Sequence, residues 1–407
     1  MMANAAFRNL NVNEGRLMKD IHHTAQRGKG AVWGSAATET GMARLSLSLE
    51  DKLVRDWFVE TARSLSCNVH FDAMGNIFAV RSGRNDGPAT FIGSHLDTQP
   101  SGGRYDGILG VLAGLEVLRV LEDNKVETAF PIGVVNWTKG RPISNINGVI
   151  WRVGWLNSSR QGPILEAENK RIGIVEGVQA YRWHTITVRG RECHTGATTF
   201  PYRSDALLAA ARMISHSHVF ASEFSSLAST GVLTLKHGST NTVPGEVTFS
   251  IDIRSSSDSQ LMQLEEKLKQ DFETIAKDEL LPGMTGKGVK GRGCSMEWQL
   301  VSSSTATTFD KNCIRCITDS AESAAAEAGI AAEDFMKRGM ISGAGHDSVY
   351  TSKRCPTAMI FILCKDGISH SPGEYSSSQE CATGAQVLLG SVLRFGELRA
   401  VEASSGP

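Results

Sequence analysis

The stretch from Pro88 to Asn124 constrains this chain most. PATFIGSH reads as a buried strand ending at His95. LDTQPSGGRYDG is a polar, glycine-rich turn, and LGVLAGLEVLRVLEDN is a largely buried helix. FPIGVVNWT follows as another strand, apolar enough to be covered on both faces. That order is the signature of a layered α/β domain. In open sheets of this kind ligands bind beyond the carboxyl ends of the strands, so the residues after PATFIGSH and VVNWT are where chemistry is expected.

The texture changes near Trp183. WHTITVRG reads as a strand, and a helix carrying DALLAAARMI opens at Ser204. GVLTLKH and EVTFSIDIR alternate at period two, as half-buried strands do. Ser257 and Gln260 form a capping box for a helix whose Leu261, Leu264, Leu268 and Ile275 keep helical spacing. After about residue 305 the first texture returns. A helix runs from Asp310 to Ala328 with Gly329 as its stop, PTAMIFIL is a buried strand, and Ser377 and Glu380 cap a last helix ending near Phe395. The expected organisation is a discontinuous α/β domain, residues 1–182 and 305–407, with an α+β domain, 183–304, inserted in it.

A length of 407 residues suits two domains. Hydrophobic residues at 41% and a formal net charge of -1 suit a soluble protein, and that charge excludes nucleic acid or an anionic membrane as the main partner. No apolar run approaches the ~20 residues that span a bilayer, and the first twenty residues hold no apolar core of signal-peptide length. A cytoplasmic protein is expected. Eight cysteines do not make a disulfide scaffold in a chain this long, and Cys313 and Cys316 read as spaced residues of one helix. PGMTGKGVKGRG lacks the pattern of a phosphate loop and reads as a surface loop.

His95, Asp97 and Asp106 follow the strand PATFIGSH directly. Alternate residues at a strand end can face the same way, so Asp97 can take the second N–H of His95 and fix its tautomer, as partners of metal-bound histidines do. From spacing alone, His95 as a satisfied polar residue and Asp106 as a helix cap stand equally well. The strand GVVNWT is followed by KGRPISNINGVIW, where Lys139 and Arg141 are the wrong charge for a cation site. His370 sits in a loop after PTAMIFIL, and Gly345 in the glycine-rich SGAGHDS before it. In the inserted block, His194 precedes a helix, Asn241 lies in STNTVPG and Arg254 ends EVTFSIDIR. Arginine is the natural two-pronged partner of a carboxylate, and asparagine offers both a donor and an acceptor.

Six segments carry a family resemblance, in this order: GSHLDTQPSGGRYDGILGVLAGLEVLR, QGPILEAENKRIGIVEGVQAYRW, CHTGATTFPYRSDALLAAARMI, NTVPGEVTFSIDIR, SGAGHDSVY and KDGISHSPGEYSS. Together they resemble the N-carbamoyl-L-amino-acid hydrolase and β-ureidopropionase branch, with allantoate amidohydrolases, of the aminoacylase/carboxypeptidase-like dinuclear metallohydrolases. The resemblance implies a zinc-exopeptidase-like catalytic domain and an inserted lid that pairs two copies into a homodimer. It implies two divalent metal ions, zinc in the usual case and manganese as the other candidate, and a small ureido or N-carbamoyl amino acid as substrate. His95 and His370 match metal ligands, Asp106 the bridging carboxylate and Asp97 the orienting aspartate. Gln161, His194, Asn241, Arg254 and Gly345 match positions that contact the substrate.

The sequence departs from that pattern in one region. Where the family has Glu-Glu-Gly after the strand matching VVNWT, this chain has Thr138-Lys139-Gly140-Arg141-Pro142. Where it has His-x-Glu-Gln-Gly-Pro, Ser158 and Arg160 replace the histidine and the glutamate ahead of Gln161. The segment between the two is shorter than the family's by several tens of residues. Glu166 and Glu168 are the nearest acids for a substitute base, though nothing in the sequence places them at the metals. Three readings follow: an amidohydrolase of N-carbamoyl amino acids impaired by these losses, an inactive relative that binds amino-acid-like ligands or a partner, and an allantoate amidohydrolase.

Overall fold

The computed structural model describes residues 9–138, 164–278 and 289–404, and the backbone path of 148–155. The chain divides into two compact units, residues 1–177 with 308–407, and 178–307.

The first unit is built on a nine-stranded mixed sheet. From one edge its order is Asn68–Phe71, Ile77–Arg81, Ile132–Trp137, Ala89–His95, Gly148–Trp155, Thr357–Ile362, Ile172–Val178 and Thr307–Thr308, with Met336–Ser342 also pairing Ile172–Val178. The four central strands, Ile132–Trp137 through Thr357–Ile362, are mutually parallel. Their carboxyl ends therefore share one edge of the sheet. Side chains alternate across it. Ile92 and Val134 join Leu112, Leu115, Ile360 and Leu388 in one core, while Phe91, Val135 and Trp137 pack with Phe78 and Cys355 on the other face. Both faces are covered, as apolar parallel strands require.

The helix Ile108–Asp123 is buried along nearly its whole length. Its one buried acid, Glu116, is held by Arg16 through Nε at 2.7 Å and Nη2 at 2.9 Å, and by the Asn13 N–H at 2.9 Å. This fastens the Glu14–Thr24 helix to it. Asp310 caps the Lys311–Glu327 helix by accepting the Cys313 N–H, and Gly329 with φ +67° turns the chain out of it. Cys313 and Cys316 are both buried in that helix. Ser377 and Glu380 form the expected capping box: Ser377 N–H donates to Glu380 Oε2 at 2.8 Å and Glu380 N–H to Ser377 Oγ at 3.3 Å. The helix it opens, Ser378–Ser404, passes Phe395, because Leu398 continues the buried stripe.

The second unit is an antiparallel sheet in the order Leu227–Ser229, Glu246–Ser255, Ala180–Arg189 and Ser295–Ser304, with Leu233–Leu235 also on Glu246–Ser255. Val247, Phe249, Ile251 and Ile253 are buried at every second position, as the alternation predicts. They share a core with Leu261, Leu264, Leu268 and Phe272 of the Asp258–Ala276 helix. Two local expectations need correcting. The Ala206–Glu223 helix is capped by Asp205 rather than Ser204, since the Asp205 carboxylate takes the Leu208 N–H at 3.0 Å. The Ser257 box is half made. Its hydroxyl accepts the Gln260 N–H at 3.3 Å, but the Gln260 side chain turns to Ser255 Oγ and Phe224 O.

Among the described residues no helix is long and apolar enough to cross a membrane.

Candidate functional site

The carboxyl end of Ala89–His95 delivers His95 and, two residues on, Asp97. His95 Nδ1 lies 2.9 Å from the Asp97 backbone carbonyl and 3.6 Å from its carboxylate. A carbonyl only accepts, so Nδ1 carries the proton and Nε2 keeps its lone pair, the form a metal ligand needs. Asp97 thus orients the ring first through its main chain and only then through its charge. Burial pushes the Asp97 carboxyl above its usual range. His95 pulls it back, while the Asp51 and Asp347 carboxylates push it further up.

Arg44 holds this strand end from behind. Its guanidinium is fully buried and donates from Nε to Leu96 O at 2.8 Å, and from Nη1 to Thr24 O at 2.7 Å and Arg27 O at 2.8 Å. Leu96 is the residue between His95 and Asp97. The Arg44 backbone also takes the Thr98 N–H at 2.7 Å, so both sides of Asp97 are pinned. Burial lowers the Arg44 pKa to about 10, which leaves it charged at neutral pH.

The turn after His95 is shaped by glycines. Gly107 has φ +76°, and a Cβ on it would fall 2.3 Å from the His95 ring. The backbone next to Asp106 therefore packs directly on the imidazole. Asp106 Oδ2 lies 3.3 Å from His370 Nε2, which the loop after Thr357–Ile362 supplies. His370 is largely exposed and has φ +52°. His95, Asp97, Asp106 and His370 thus gather at one edge of the sheet.

Glu374, four residues beyond His370, is a member of this cluster that sequence reasoning passed over. It is 1% exposed, and its Oε1 accepts the Asp106 N–H at 2.6 Å. Burial, then the Asp106 charge, raise its pKa to about 8, against the backbone N–H groups of Asp106, Tyr105 and His370. The acid in GISHSPGEYSS was the available signal, since no other charged side chain stands in that loop.

Asp347, two residues from Gly345, is buried and faces Asp97 electrostatically. Gly345 itself is exposed. Glu166 and Glu168 are engaged elsewhere. Glu166 accepts the Asp366 N–H at 2.7 Å, and Glu168 binds Lys337 at 2.7 Å. Gln161, and with it Lys139, Arg141, Ser158 and Arg160, lie outside the described residues.

In the second unit the Cys193–His194 strand pairs with Thr242–Val243, which sets His194 beside Asn241: the Thr195 N–H donates to Asn241 O at 2.8 Å. His194 Nδ1 accepts the N–H groups of Gly196 and Ala197, both at 3.1 Å. That leaves the proton on Nε2, an exposed donor. Arg254 shares its charge with Asp252 two residues back on the same strand face, Nη2 to Oδ2 at 2.6 Å, and lies over the Tyr181 ring at 5.7 Å.

Asp106 Oδ2 and His370 Nε2, with His95 packed one residue away, are oxygen and nitrogen donors of the kind a single zinc-like ion takes. They do not fit two ions. Among the described residues no group of three or more His, Cys, Asp or Glu side chains is arranged to hold a metal.

The chain matches a known class of hydrolase. The chain belongs to Peptidase family M20/M25/M40, which it matches over residues 91–394. It is 31% identical to the N-carbamoyl-L-amino-acid amidohydrolase of Rhizobium meliloti, over 96% of this chain and 98% of that protein. That comparison runs over 437 positions, more than the 407 residues of this chain, so the relative carries residues this chain lacks. The chain is 27% identical to the ureidoglycolate hydrolase of Arabidopsis thaliana, over 87% of this chain and 82% of that one. An amidase of the hydantoinase/carbamoylase family from Burkholderia multivorans has the same fold, with a TM-score of 0.80 and 31% identity over 95% of this chain and 98% of that chain.

Proposed function

We propose that this chain is an amidohydrolase by descent, built to cleave the C–N bond of N-carbamoyl amino acids to amino acid, CO₂ and ammonia, and that as written it turns them over close to the background rate. The observation that carries the substrate class is the 31% identity to the Rhizobium amidohydrolase across nearly both chains. Impairment rests on the sequence: Thr138-Lys139-Gly140-Arg141-Pro142 holds neither of the family's two glutamates, and Ser158 stands where it has a histidine.

Asp106 and His370, with His95 beside them, would hold one divalent ion, which supplies Lewis-acid polarisation of the ureido carbonyl. Asp97 keeps His95 in the ligating tautomer. His194, with its proton on Nε2, donates to the carbonyl oxygen as negative charge develops there. Arg254 and Asn241 take the substrate carboxylate, Gln161 and Gly345 the ureido group. What this set lacks is a base for the attacking water. General-base help is worth about 10²–10⁴-fold in rate, and its loss adds to that of the missing metal ligands in bringing turnover toward background.

The 178–307 unit acts as a lid that pairs two copies of the chain. Leu208, Val219, Leu233 and Leu235 are exposed apolar side chains on its helix and sheet, as a self-complementary interface requires. Eight free cysteines, six of them buried, suit a reducing cytoplasm.

The test uses the whole chain, stripped with chelator and reloaded with Zn²⁺ or Mn²⁺. Binding of N-carbamoyl-L-amino acids, N-carbamoyl-β-alanine, allantoate and ureidoglycolate is measured by calorimetry, and turnover by ammonia release. We expect binding of an N-carbamoyl amino acid with almost no release. Rapid release defeats the impairment, and preference for allantoate moves the chain to the second ureido class. Failure to bind any ureido acid defeats the substrate assignment. Light scattering reads the dimer.

A further inference from the structure

We infer that Glu374 is a positioning residue that sets the spacing between Asp106 and His370, and hence the grip of that pair on a divalent cation. The inference deepens the metallohydrolase reading above and rests on it for the identity of the ligand, though not for the geometry.

Three observations carry it. First, Glu374 ties together two segments that are remote in sequence. Its Oε1 takes the Asp106 N–H at 2.6 Å across 268 residues, and it stands in the same loop as His370. The Glu374 N–H itself donates to Ser371 O, which closes the loop on the His370 side. Second, the two segments are built to touch there. A Cβ on Gly103 would lie 2.3 Å from Glu374 Cβ and 2.7 Å from its carboxyl carbon, so only glycine at Gly103 admits the side chain. Third, the contact is sealed. Glu374 is 1% exposed, so the residue is held by this junction and not by solvent.

The physical consequence follows from where the bond falls. Asp106 opens the Ile108–Asp123 helix through Gly107, and its side chain direction is set by its own backbone. A carboxylate that fixes the Asp106 amide therefore limits where Oδ2 can point, while the same loop brings His370 Nε2 to 3.3 Å from it. Without that bond each ligand is still present, but the Asp106 amide has lost the acceptor that spans the two segments. Partners of metal ligands typically alter affinity by about 10–100-fold when removed.

Three variants of the full chain test this: Glu374→Ala, Glu374→Gln and, as a control, Glu380→Ala, which removes a helix cap without touching Asp106 or His370. Amide exchange at Asp106 is followed in metal-free protein, and Zn²⁺ affinity is followed by calorimetry with the metal alone. Glu374→Ala is expected to speed exchange at Asp106 and weaken Zn²⁺ by about 10–100-fold. Glu374→Gln keeps an oxygen for the Asp106 N–H and is expected to rescue most of both. Glu380→Ala should lower thermal stability and leave exchange at Asp106 and Zn²⁺ affinity as they were. Unchanged exchange at Asp106 in Glu374→Ala overturns the inference. So does a loss of Zn²⁺ that Glu380→Ala reproduces, because that is general destabilisation. If the parent chain binds no Zn²⁺, the metal reading of the previous subsection fails by itself, and the exchange rates still decide the role of Glu374.

Discussion

His370 Nε2 lies 3.3 Å from Asp106 Oδ2, an imidazole and a carboxylate brought together from two loops at the same edge of a parallel sheet. Among the described residues that match the family's metal ligands, these are the two whose donor atoms meet. We expect the chain to retain no more than one Zn²⁺ after dialysis, and Asp106→Asn or His370→Ala to cut its affinity by at least about 10-fold, the lower end for even an indirect partner. Metal analysis by mass spectrometry and a calorimetric titration read both. Two ions held per chain would mean that other groups replace the missing ligands.

The strand end after Trp137 offers the complementary experiment. Replacing Lys139 with two glutamates ahead of Gly140 returns the acid pair that the resemblance calls for. A positioned general base contributes about 10²–10⁴-fold, and the missing histidine takes back part of that gain. Ammonia release from an N-carbamoyl amino acid should rise at least ~10-fold over the parent. No rise would place the defect elsewhere.

Arg44 makes a prediction about stability. Its buried guanidinium satisfies the carbonyls of Leu96, Thr24 and Arg27. Arg44→Met removes all three donors; Thr24 O keeps the Arg27 N–H at 3.2 Å, while the Leu96 and Arg27 carbonyls lose the arginine as partner. Hydrogen bonds to a charged group are worth about 1.5–3 kcal/mol each, so a loss of about 3 kcal/mol or more is expected in urea unfolding. A change under about 1 kcal/mol would show that water takes the place of the arginine.

Asp51 predicts a pH effect. Burial raises its carboxyl above the usual 3.8, while the Leu47 N–H, Arg55, Arg44 and His95 pull it down. The folded chain therefore holds this proton to higher pH than the unfolded one. Its contribution to stability is complete below the unfolded value and is lost as pH rises through the folded one. Asp51→Asn abolishes that dependence. As pH rises above the usual carboxylate value of 3.8, the melting temperature of the parent should fall relative to Asp51→Asn, and parallel melting curves would refute the assignment.

How much of this was legible in the chain varies with the range of the interaction. The strand Ala89–His95 and the helix Ile108–Asp123 were plain, because apolar patterning acts over neighbours in sequence. Asp252 beside Arg254 was also readable in principle, since a strand puts alternate residues on one face. The Asp205 cap was misread by one residue, because both Ser204 and Asp205 are good caps and only backbone geometry chooses between them. Arg44 gave no local signal, and Glu374 only that of a lone acid in its loop. Each acts on a segment remote in sequence.

From sequence alone came the α/β class, the inserted antiparallel block, the family, and His95, Asp97, Asp106 and His370 as the residues to watch. These rest on periodicity and on motif order, which are written along the chain. Tertiary structure decided that Asp106 and His370 meet, that His95 is oriented by a main-chain carbonyl before a carboxylate, and that Arg44 and Glu374 lock the two loops in place. Those are matters of ångströms between segments that the sheet brings side by side, and no spacing along one strand encodes the distance to its neighbour's end.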